Sequence, residues 1–300
     1  MSAPPRAARL ALPWNDRAGR LSWLKLAVFV AVLLPAAGLA YAAMMGQLGV
    51  KPVEHAIHET GEWAIRLLLA TLAVTPLRRI TGWTQFVLVR RMLGLATLGY
   101  AAGHFLLFVA QEGFALAHVA AEIVSRIYLV IGFTGLLCLI VLGATSTDAA
   151  VRRLRRNWVR LHRLAYVVAL LASAHFFLQA KVNISEATLI AGLLMLVFGY
   201  RIAAWRKAPL TAPLVLAGVA LLAAAATGLI EYAWYALATG LPAERVLAAN
   251  FTAQDDLRPA WSVAVAGLAV ALLPPVLGAV RAASRAIRPR ASAAPRARRP

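Results

Sequence analysis

WVRLHRLAYVVALLASAHFFL, residues Trp158 to Leu178, is an apolar run of 21 residues. A helix of this length crosses a membrane, because the apolar core of a bilayer is ~30 Å thick and each residue adds ~1.5 Å. Two histidines, His162 and His175, lie inside the run. Imidazole inside a membrane is costly unless it pairs or binds a ligand, so both are candidates for a functional role. Ligation of haem iron suits neutral imidazole, and proton transfer in pores and pumps is the other common use.

The composition extends this interpretation to the whole chain. Of 300 residues, 61% are hydrophobic and only 14% are charged, whereas soluble domains carry about 25% charged residues. We therefore predict an all-α fold, a polytopic bundle of transmembrane helices. The net charge of +19 does not indicate a nucleic-acid partner, because Lys and Arg collect in the cytoplasmic loops of membrane proteins. The lipid bilayer is the first partner that the composition implies.

Eight apolar stretches are long enough to cross a membrane. They lie at residues 23–45, 62–77, 92–111, 123–143, 158–178, 186–204, 211–239 and 260–280. The second contains Thr75 and Pro76, and we expect its helix to end there, because the residue before a proline disfavours helical geometry. With a cytoplasmic N-terminus, 25 of the 31 Lys and Arg residues fall on the cytoplasmic side. The positive-inside rule thus predicts eight spans with both termini in the cytoplasm.

His104 and His175 are predicted to lie at the same depth in the membrane. His104 follows Arg91 by 13 residues, and His175 follows Arg163 by 12 residues. Each therefore lies about 20 Å from the cytoplasmic ends of its helix, in the outer half of the membrane. Two imidazoles at equal depth on different helices are what bis-histidine ligation of haem requires. The alternative is that each ring only hydrogen-bonds a neighbouring backbone group.

Three further residues are candidates with open alternatives. His162 lies near the inner face and is an inner haem ligand with a borrowed partner, a quinone or flavin contact, or a helix-end residue. A second haem would need a histidine near Arg91 on the third stretch, and the sequence has none there. His58 is a polar loop residue, part of an outer quinone site, or a residue that supports haem ligation. Arg66 either snorkels to the lipid headgroups or pairs with a haem propionate.

Three segments carry a family resemblance. They are HETGEWAIRLLLATLAVTPLRRI at 58–80, VRRMLGLATLGYAAGHFLLF at 89–108 and ATSTDAAVRRLRRNWVRLHRLAYVVALLASAHFFLQAKV at 144–182. Together they resemble the haem-binding membrane subunit of the periplasmic methionine sulfoxide reductase system, the MsrQ or YedZ family. The resemblance covers about residues 20–207. That family is similar to the membrane domain of ferric reductases and NADPH oxidases, with six spans and no flavin–nucleotide domain.

The resemblance implies an electron-transfer function in the bacterial inner membrane. Electrons would pass from membrane quinol through haem b to a periplasmic, molybdopterin-containing methionine sulfoxide reductase that repairs oxidised proteins. His104, His162 and His175 carry over as haem ligands; one haem is expected, and a second haem and FMN are alternatives. We expect no chemistry on methionine sulfoxide in this chain itself. The rival interpretations are a ferric or cupric reductase conduit and a proton-coupled transporter that uses the histidines.

The resemblance also divides the chain into four parts. We expect a basic cytoplasmic arm at 1–22, followed by a ferric-reductase-like haem-binding domain at 23–207. Two additional spans at 208–284 depart from the six-span pattern, and a disordered basic cytoplasmic tail is expected at 285–300. The outer loop between the additional spans is either a docking surface for the partner subunit or a contact with lipid or a second copy.

Overall fold

The computed structural model describes residues 12–16, 18–180, 183–252 and 257–287, and these ranges are mainly helical. The helices are α1 (Trp23–Met44), α2 (Pro52–Thr81), α3 (Phe86–Gln111), α4 (Leu116–Ser125), α5 (Ile127–Ala144), α6 (Asp148–Leu154), α7 (Arg156–Leu161), α8 (Leu164–Ala180), α9 (Ser185–Trp205), α10 (Pro213–Ala238), α11 (Ala243–Ala249) and α12 (Pro259–Ile287). Extended backbone pairs in these ranges only at one bridge, between Asn15 and Leu21. Residues 1–11 and 288–300, which hold much of the predicted arm and tail, lie outside the described residues.

Seven segments of the described chain are long and apolar enough to cross a membrane. They are α1, α3, α5, α7 together with α8, α9, α10 and α12. The remaining predicted stretch lies in α2, whose 30 residues carry charged side chains near both ends. α2 nevertheless lies within the bundle, where it packs mainly against α3 and α9. The predicted all-α, multi-pass membrane bundle is confirmed.

The bundle has an acidic end and a basic end. The acidic end carries Glu54 at the start of α2, Glu112 after α3 and Glu186 at the start of α9. The basic end is the opposite one, where α2 finishes with Arg78 and Arg79. The predicted orientation of the chain, with its termini in the cytoplasm, depends on this separation of acidic and basic residues.

The prediction that α2 ends at Pro76 is wrong, because the helix continues to Thr81. Proline has no amide N–H, so Pro76 cannot donate the helical hydrogen bond to the carbonyl of Leu72. Arg201 of α9 supplies the missing donor: its Nη2 donates to the Leu72 oxygen at 2.6 Å, and its Nη1 donates to the Tyr166 hydroxyl at 2.7 Å. The guanidinium therefore lets α2 pass the proline and ties it to α8 and α9.

A second tertiary hydrogen bond supports α1 beside its internal proline, Pro35. The hydroxyl of Tyr100, from α3, accepts from the Ala36 amide at 3.0 Å and donates to the Val32 carbonyl at 2.7 Å. These two backbone groups would bond each other in an uninterrupted helix. The tyrosine thus joins α1 to α3 by inserting into the α1 hydrogen-bond ladder.

The C-terminal hairpin, formed by α10, α11 and α12, packs closely against α9. Small residues allow this approach: a Cβ added at Gly192 of α9 would collide with Thr227 of α10, and one at Gly267 of α12 would lie 3.1 Å from Leu196 of α9. Small residues at helix contacts are the usual means of close packing in membranes. The hairpin is therefore built into the bundle.

A buried ion pair holds the acidic end of the hairpin together. Glu231 of α10 is only 2% exposed, and its Oε1 accepts from Nη2 of Arg258 at 2.8 Å. Asn250, just after α11, donates to the other carboxylate oxygen at 3.4 Å and accepts on its backbone carbonyl from Trp261 at 2.7 Å. A carboxylate paired in this way fixes α11 against α10 and α12.

We expect Glu231→Ala to destabilise the protein by about 2 kcal/mol, because the change leaves Arg258 partly buried without its charged partner. The measurement is thermal unfolding of the purified protein, followed by circular dichroism. Glu244→Ala, at an exposed position of α11, is the matched control and should unfold like the wild type. Equal unfolding temperatures for both variants would show that the ion pair does not stabilise the hairpin.

Candidate functional site

A cavity of 860 Å³ lies among α2, α3, α5 and α8 and reaches the acidic end of the bundle. Its deep part is lined by apolar side chains, among them Leu68, Leu139 and Val168. Its mouth is polar, with Glu62, Glu112, Arg126 and Glu186. A mostly apolar cavity with a few polar groups at one end is typical of a cofactor site. Both His104 and His175 line it.

The two histidines are held in the same tautomer. Nδ1 of His104 lies 2.7 Å from the carbonyl oxygen of Ile57, and Nδ1 of His175 lies 2.7 Å from that of Tyr128. A carbonyl oxygen can only accept, so each Nδ1 carries the proton and donates it. Nε2, on the other side of each ring, keeps its lone pair free. Metal-ligating histidines are oriented in this way by a bond from their second nitrogen.

The separation of the rings fits one metal ion between them. The ring centroids of His104 and His175 are 6.1 Å apart and the ring planes are inclined by 86°. Two metal–nitrogen bonds of about 2 Å, on opposite sides of one ion, place imidazole centroids ~6 Å apart. The described residues contain no group of three or more His, Cys, Asp and Glu that could hold a bare ion. The pair therefore suits an iron whose other ligands are porphyrin nitrogens.

Two glycines make room for the imidazoles. A Cβ at Gly61 would lie 3.0 Å from Nδ1 of His104, and a Cβ at Gly132 would lie 2.7 Å from Nδ1 of His175. Each glycine follows the carbonyl acceptor of that histidine by one helical turn. Any larger residue would push the ring away from its acceptor. Sequence reasoning did not identify these glycines.

The two halves of the site repeat each other. The acceptor precedes its histidine by 47 residues in both halves, and Gly61 and Gly132 precede theirs by the same 43. A shift of 71 residues, the distance from His104 to His175, relates further cavity-lining pairs: Ile65 to Leu136, Leu68 to Leu139, and Phe105 to Phe176. Equal glycine–histidine spacing was the signal in the sequence that could have revealed the glycines.

His162 lies outside this arrangement. Its Nε2 is 3.2 Å from the hydroxyl oxygen of Thr145, which itself donates to the carbonyl of Val141 at 2.7 Å. Nε2 of His162 is therefore the donor in that contact. Its ring stacks on Trp158, with centroids 3.9 Å apart, and it does not line the cavity. The structure does not bring it to His104 and His175.

Arg66 does not line the cavity either, although its two carboxylate partners do. Its Nη2 lies 2.8 Å from Glu62 and 2.9 Å from Glu186, and its guanidinium lies over Trp63. A propionate would compete with both carboxylates for this cation. His58 does line the cavity, and its Nδ1 donates to the carbonyl of Glu54 at 2.7 Å.

Arg126 is a cation of the mouth that sequence reasoning did not single out. It lines the cavity just before α5, donates to the Tyr128 hydroxyl at 3.1 Å and pairs with Glu122 at 2.6 Å. The hydrogen bond to Tyr128 and the charge of Glu122 raise the pKa of Arg126 above its ordinary value. Like any arginine, Arg126 is positively charged at physiological pH, and it supplies a cation at the mouth of the cavity.

Comparison with known proteins supports a haem-binding site. A family model described as ferric reductase like transmembrane component matches residues 60–173. A relative from Xanthomonas campestris pv. campestris (strain B100), named "Protein-methionine-sulfoxide reductase heme-binding subunit MsrQ", is 45% identical over 191 residues, which are 61% of this chain and 86% of the relative. A relative of the same name from Rhodospirillum rubrum is 40% identical over 190 residues, 63% of this chain and 89% of the relative. No solved structure matches.

We expect Gly132→Ala to weaken haem binding about tenfold, because overpacking beside His175 displaces its ring. Gly61→Ala should have a smaller effect, since the added Cβ would lie 3.0 Å from the ring nitrogen of its histidine instead of 2.7 Å. Haem content per protein, from the absorbance of the pyridine haemochrome, measures both effects. Gly103→Ala, beside His104 but with nothing within 4 Å of the added Cβ, is the control. Equal haem content in all three variants would contradict the role of the glycines.

Proposed function

We propose, from the fact that this chain belongs to the MsrQ family of haem-binding subunits, that it carries electrons through one b-type haem held between His104 and His175. The observation that carries the proposal is the pair of imidazoles 6.1 Å apart in one cavity. Both rings donate from Nδ1 to a backbone carbonyl. A membrane haem electron-transfer subunit of the methionine sulfoxide reductase system is the function that fits the family and this geometry together.

In this proposal the protein holds the two histidine side chains in place and sets the basicity of their ligating nitrogens. The carbonyls of Ile57 and Tyr128 fix each ring and increase the basicity of its Nε2. The apolar walls around Leu68, Leu139 and Val168 keep water from the iron site, which also tunes its potential. When bound, haem supplies a centre that accepts and releases one electron. No nucleophile or acid–base pair for chemistry on methionine sulfoxide is part of this proposal.

Two cations are proposed as partners of the haem propionates. Arg126 lines the mouth itself. Arg66, proposed from the sequence, lies behind Glu62 and Glu186, which line the cavity. Arginine suits carboxylates because its planar group donates two parallel hydrogen bonds. His58, on the same cavity wall, is the proposed contact for a quinone near the mouth.

The donor and acceptor of the electrons form the finer part of the proposal. We propose membrane quinol as the donor and a periplasmic, molybdopterin-containing methionine sulfoxide reductase as the acceptor, in the bacterial inner membrane with both termini cytoplasmic. The names of the relatives support the acceptor's class. FMN and a second haem at His162 are alternatives to this proposal, and the stacking of His162 on Trp158 does not favour the second haem.

A ferric or cupric reductase conduit is the second candidate, and the family model's description favours it. That function needs a flavoprotein donor and a metal acceptor. The two candidates differ in what oxidises the reduced protein. Reoxidation by a methionine sulfoxide reductase subunit but not by ferric or cupric chelates supports the first candidate, and the opposite result supports the second.

We expect reduced-minus-oxidised visible spectra of the purified protein to show a low-spin b-type signal, with one haem per chain. His104→Ala and His175→Ala should each abolish the low-spin signal, because each removes one axial ligand. His162→Ala should retain it. His55→Ala, an exposed histidine at the same end of the bundle, controls for the loss of any histidine.

Two outcomes would overturn parts of this proposal. Loss of about half of the signal in His162→Ala, judged against a wild type with two haems, would establish a second haem. A colourless wild type after haem-replete expression would exclude the electron-transfer function altogether.

A further inference from the structure

We propose that the C-terminal hairpin holds the acidic end of α8 in place and thereby positions His175, with Trp234 of α10 as the positioning residue. The inference rests on the proposed function only in taking His175 as a haem ligand. The hairpin lies beyond residues 60–173, the part that matches the family model. His175 also lies just beyond that range, so the contacts between the hairpin and the end of α8 come from the structure alone.

Contacts at the end of α8 carry the first step. Phe177, two residues after His175, is buried in an apolar cluster with Ile184, Ala187 and Ala191. Three residues of α10 pack against this cluster: Ile230, Trp234 and Tyr235. The rings of Phe177 and Trp234 contact each other with centroids 5.2 Å apart. The hairpin thus packs against the helical turn that carries the histidine.

The same cluster forms part of the cavity wall. Phe176, Ala180 and Ala187 belong to or pack against the cluster, and all three also line the cavity. The cluster against which Trp234 packs therefore shares residues with the wall of the cavity. A change on the hairpin side of this cluster alters the wall on the cavity side, because close-packed interiors transmit displacement.

Comparison of the two halves of the site shows what the hairpin changes. Leu106 is the counterpart of Phe177 after a shift of 71 residues, and it lies two residues after the other histidine, His104. Leu106 is 61% exposed, whereas Phe177 is 9% exposed. The start of α9, together with the hairpin, therefore covers on α8 a face that stays open on α3. The support of His175 is not shared by His104.

The hairpin is fixed firmly enough to act as a support. Glu231, one turn before Trp234, is buried in its ion pair with Arg258. On the α9 side, Gly192 lets Thr227 approach closely. Both contacts lie within two turns of Trp234. The acidic end of α10 therefore has little freedom to shift relative to α9 and to the start of α12.

The first test measures loss of haem from full-length protein to a haem-scavenging apoprotein. Trp234→Ala should lose haem about tenfold faster than wild type, because truncating the ring leaves a void beside Phe177. Trp234→Phe keeps an aromatic ring and should stay within about threefold of wild type. Leu237→Ala, one turn further along and 87% exposed, should lose haem at the wild-type rate.

A second control separates positioning from general stability. Leu216 is fully buried in the hairpin near its basic end, so Leu216→Ala should lower the unfolding temperature without changing the rate of haem loss. Trp234→Ala should in addition shift the low-spin spectrum. Equal rates of haem loss in Trp234→Ala and wild type, or equal acceleration in Leu216→Ala and Trp234→Ala, would overturn the inference.

Hydrogen exchange tests the same contact without haem. In haem-free protein, Trp234→Ala should raise amide exchange in the peptide that carries His175, and Leu237→Ala should not. Unchanged exchange in Trp234→Ala would overturn the positioning role by itself. A wild type that binds no haem, with exchange raised in Trp234→Ala, would instead overturn the proposed function and leave the support of α8 standing.

Discussion

The hydrogen bonds from His104 and His175 to backbone carbonyls are the interactions on which the site depends. An imidazole in an apolar environment needs a partner for its N–H, and a helical carbonyl one turn before a glycine provides it. That bond fixes the tautomer and leaves Nε2 free to ligate. From the amino-acid sequence alone, haem ligation and backbone hydrogen bonding are alternatives for these histidines. In the structure only Nδ1 of each ring makes the backbone hydrogen bond, so the two interpretations are compatible.

The repeat explains why the site needs two helix pairs. α2 with α3, and α5 with α8, each supply one carbonyl acceptor, one glycine and one histidine. Only together do the two pairs bring His104 and His175 into one cavity. Around this repeated core the additions differ: α1 joins α3 through Tyr100, whereas the C-terminal hairpin contacts the end of α8 through Trp234 and Phe177. The two histidines are therefore related by the repeat, but the elements packed around them differ. This difference allows the protein to tune the two histidines separately.

Much of the fold was predictable, because the patterns of hydropathy and charge that determine it lie in consecutive residues of the sequence. The apolar stretches and the approach of His104 to His175 follow from counting residues from the arginines that flank each helix. Other contacts between distant residues were not predictable. Pro76 does not end α2 because Arg201, far along the chain, donates to Leu72. Arg66 pairs with Glu186, a residue 120 positions away, which no local pattern announces.

Electron paramagnetic resonance of the ferric protein tests the central claim most directly, since it reports the axial ligands and their orientation. The rings of His104 and His175 are inclined by 86°, and nearly perpendicular imidazole planes leave two iron d orbitals close in energy. We therefore predict a low-spin signal with the large anisotropy of two perpendicular imidazole ligands. A high-spin signal, or a low-spin signal that survives in His104→Ala or His175→Ala, would contradict the account.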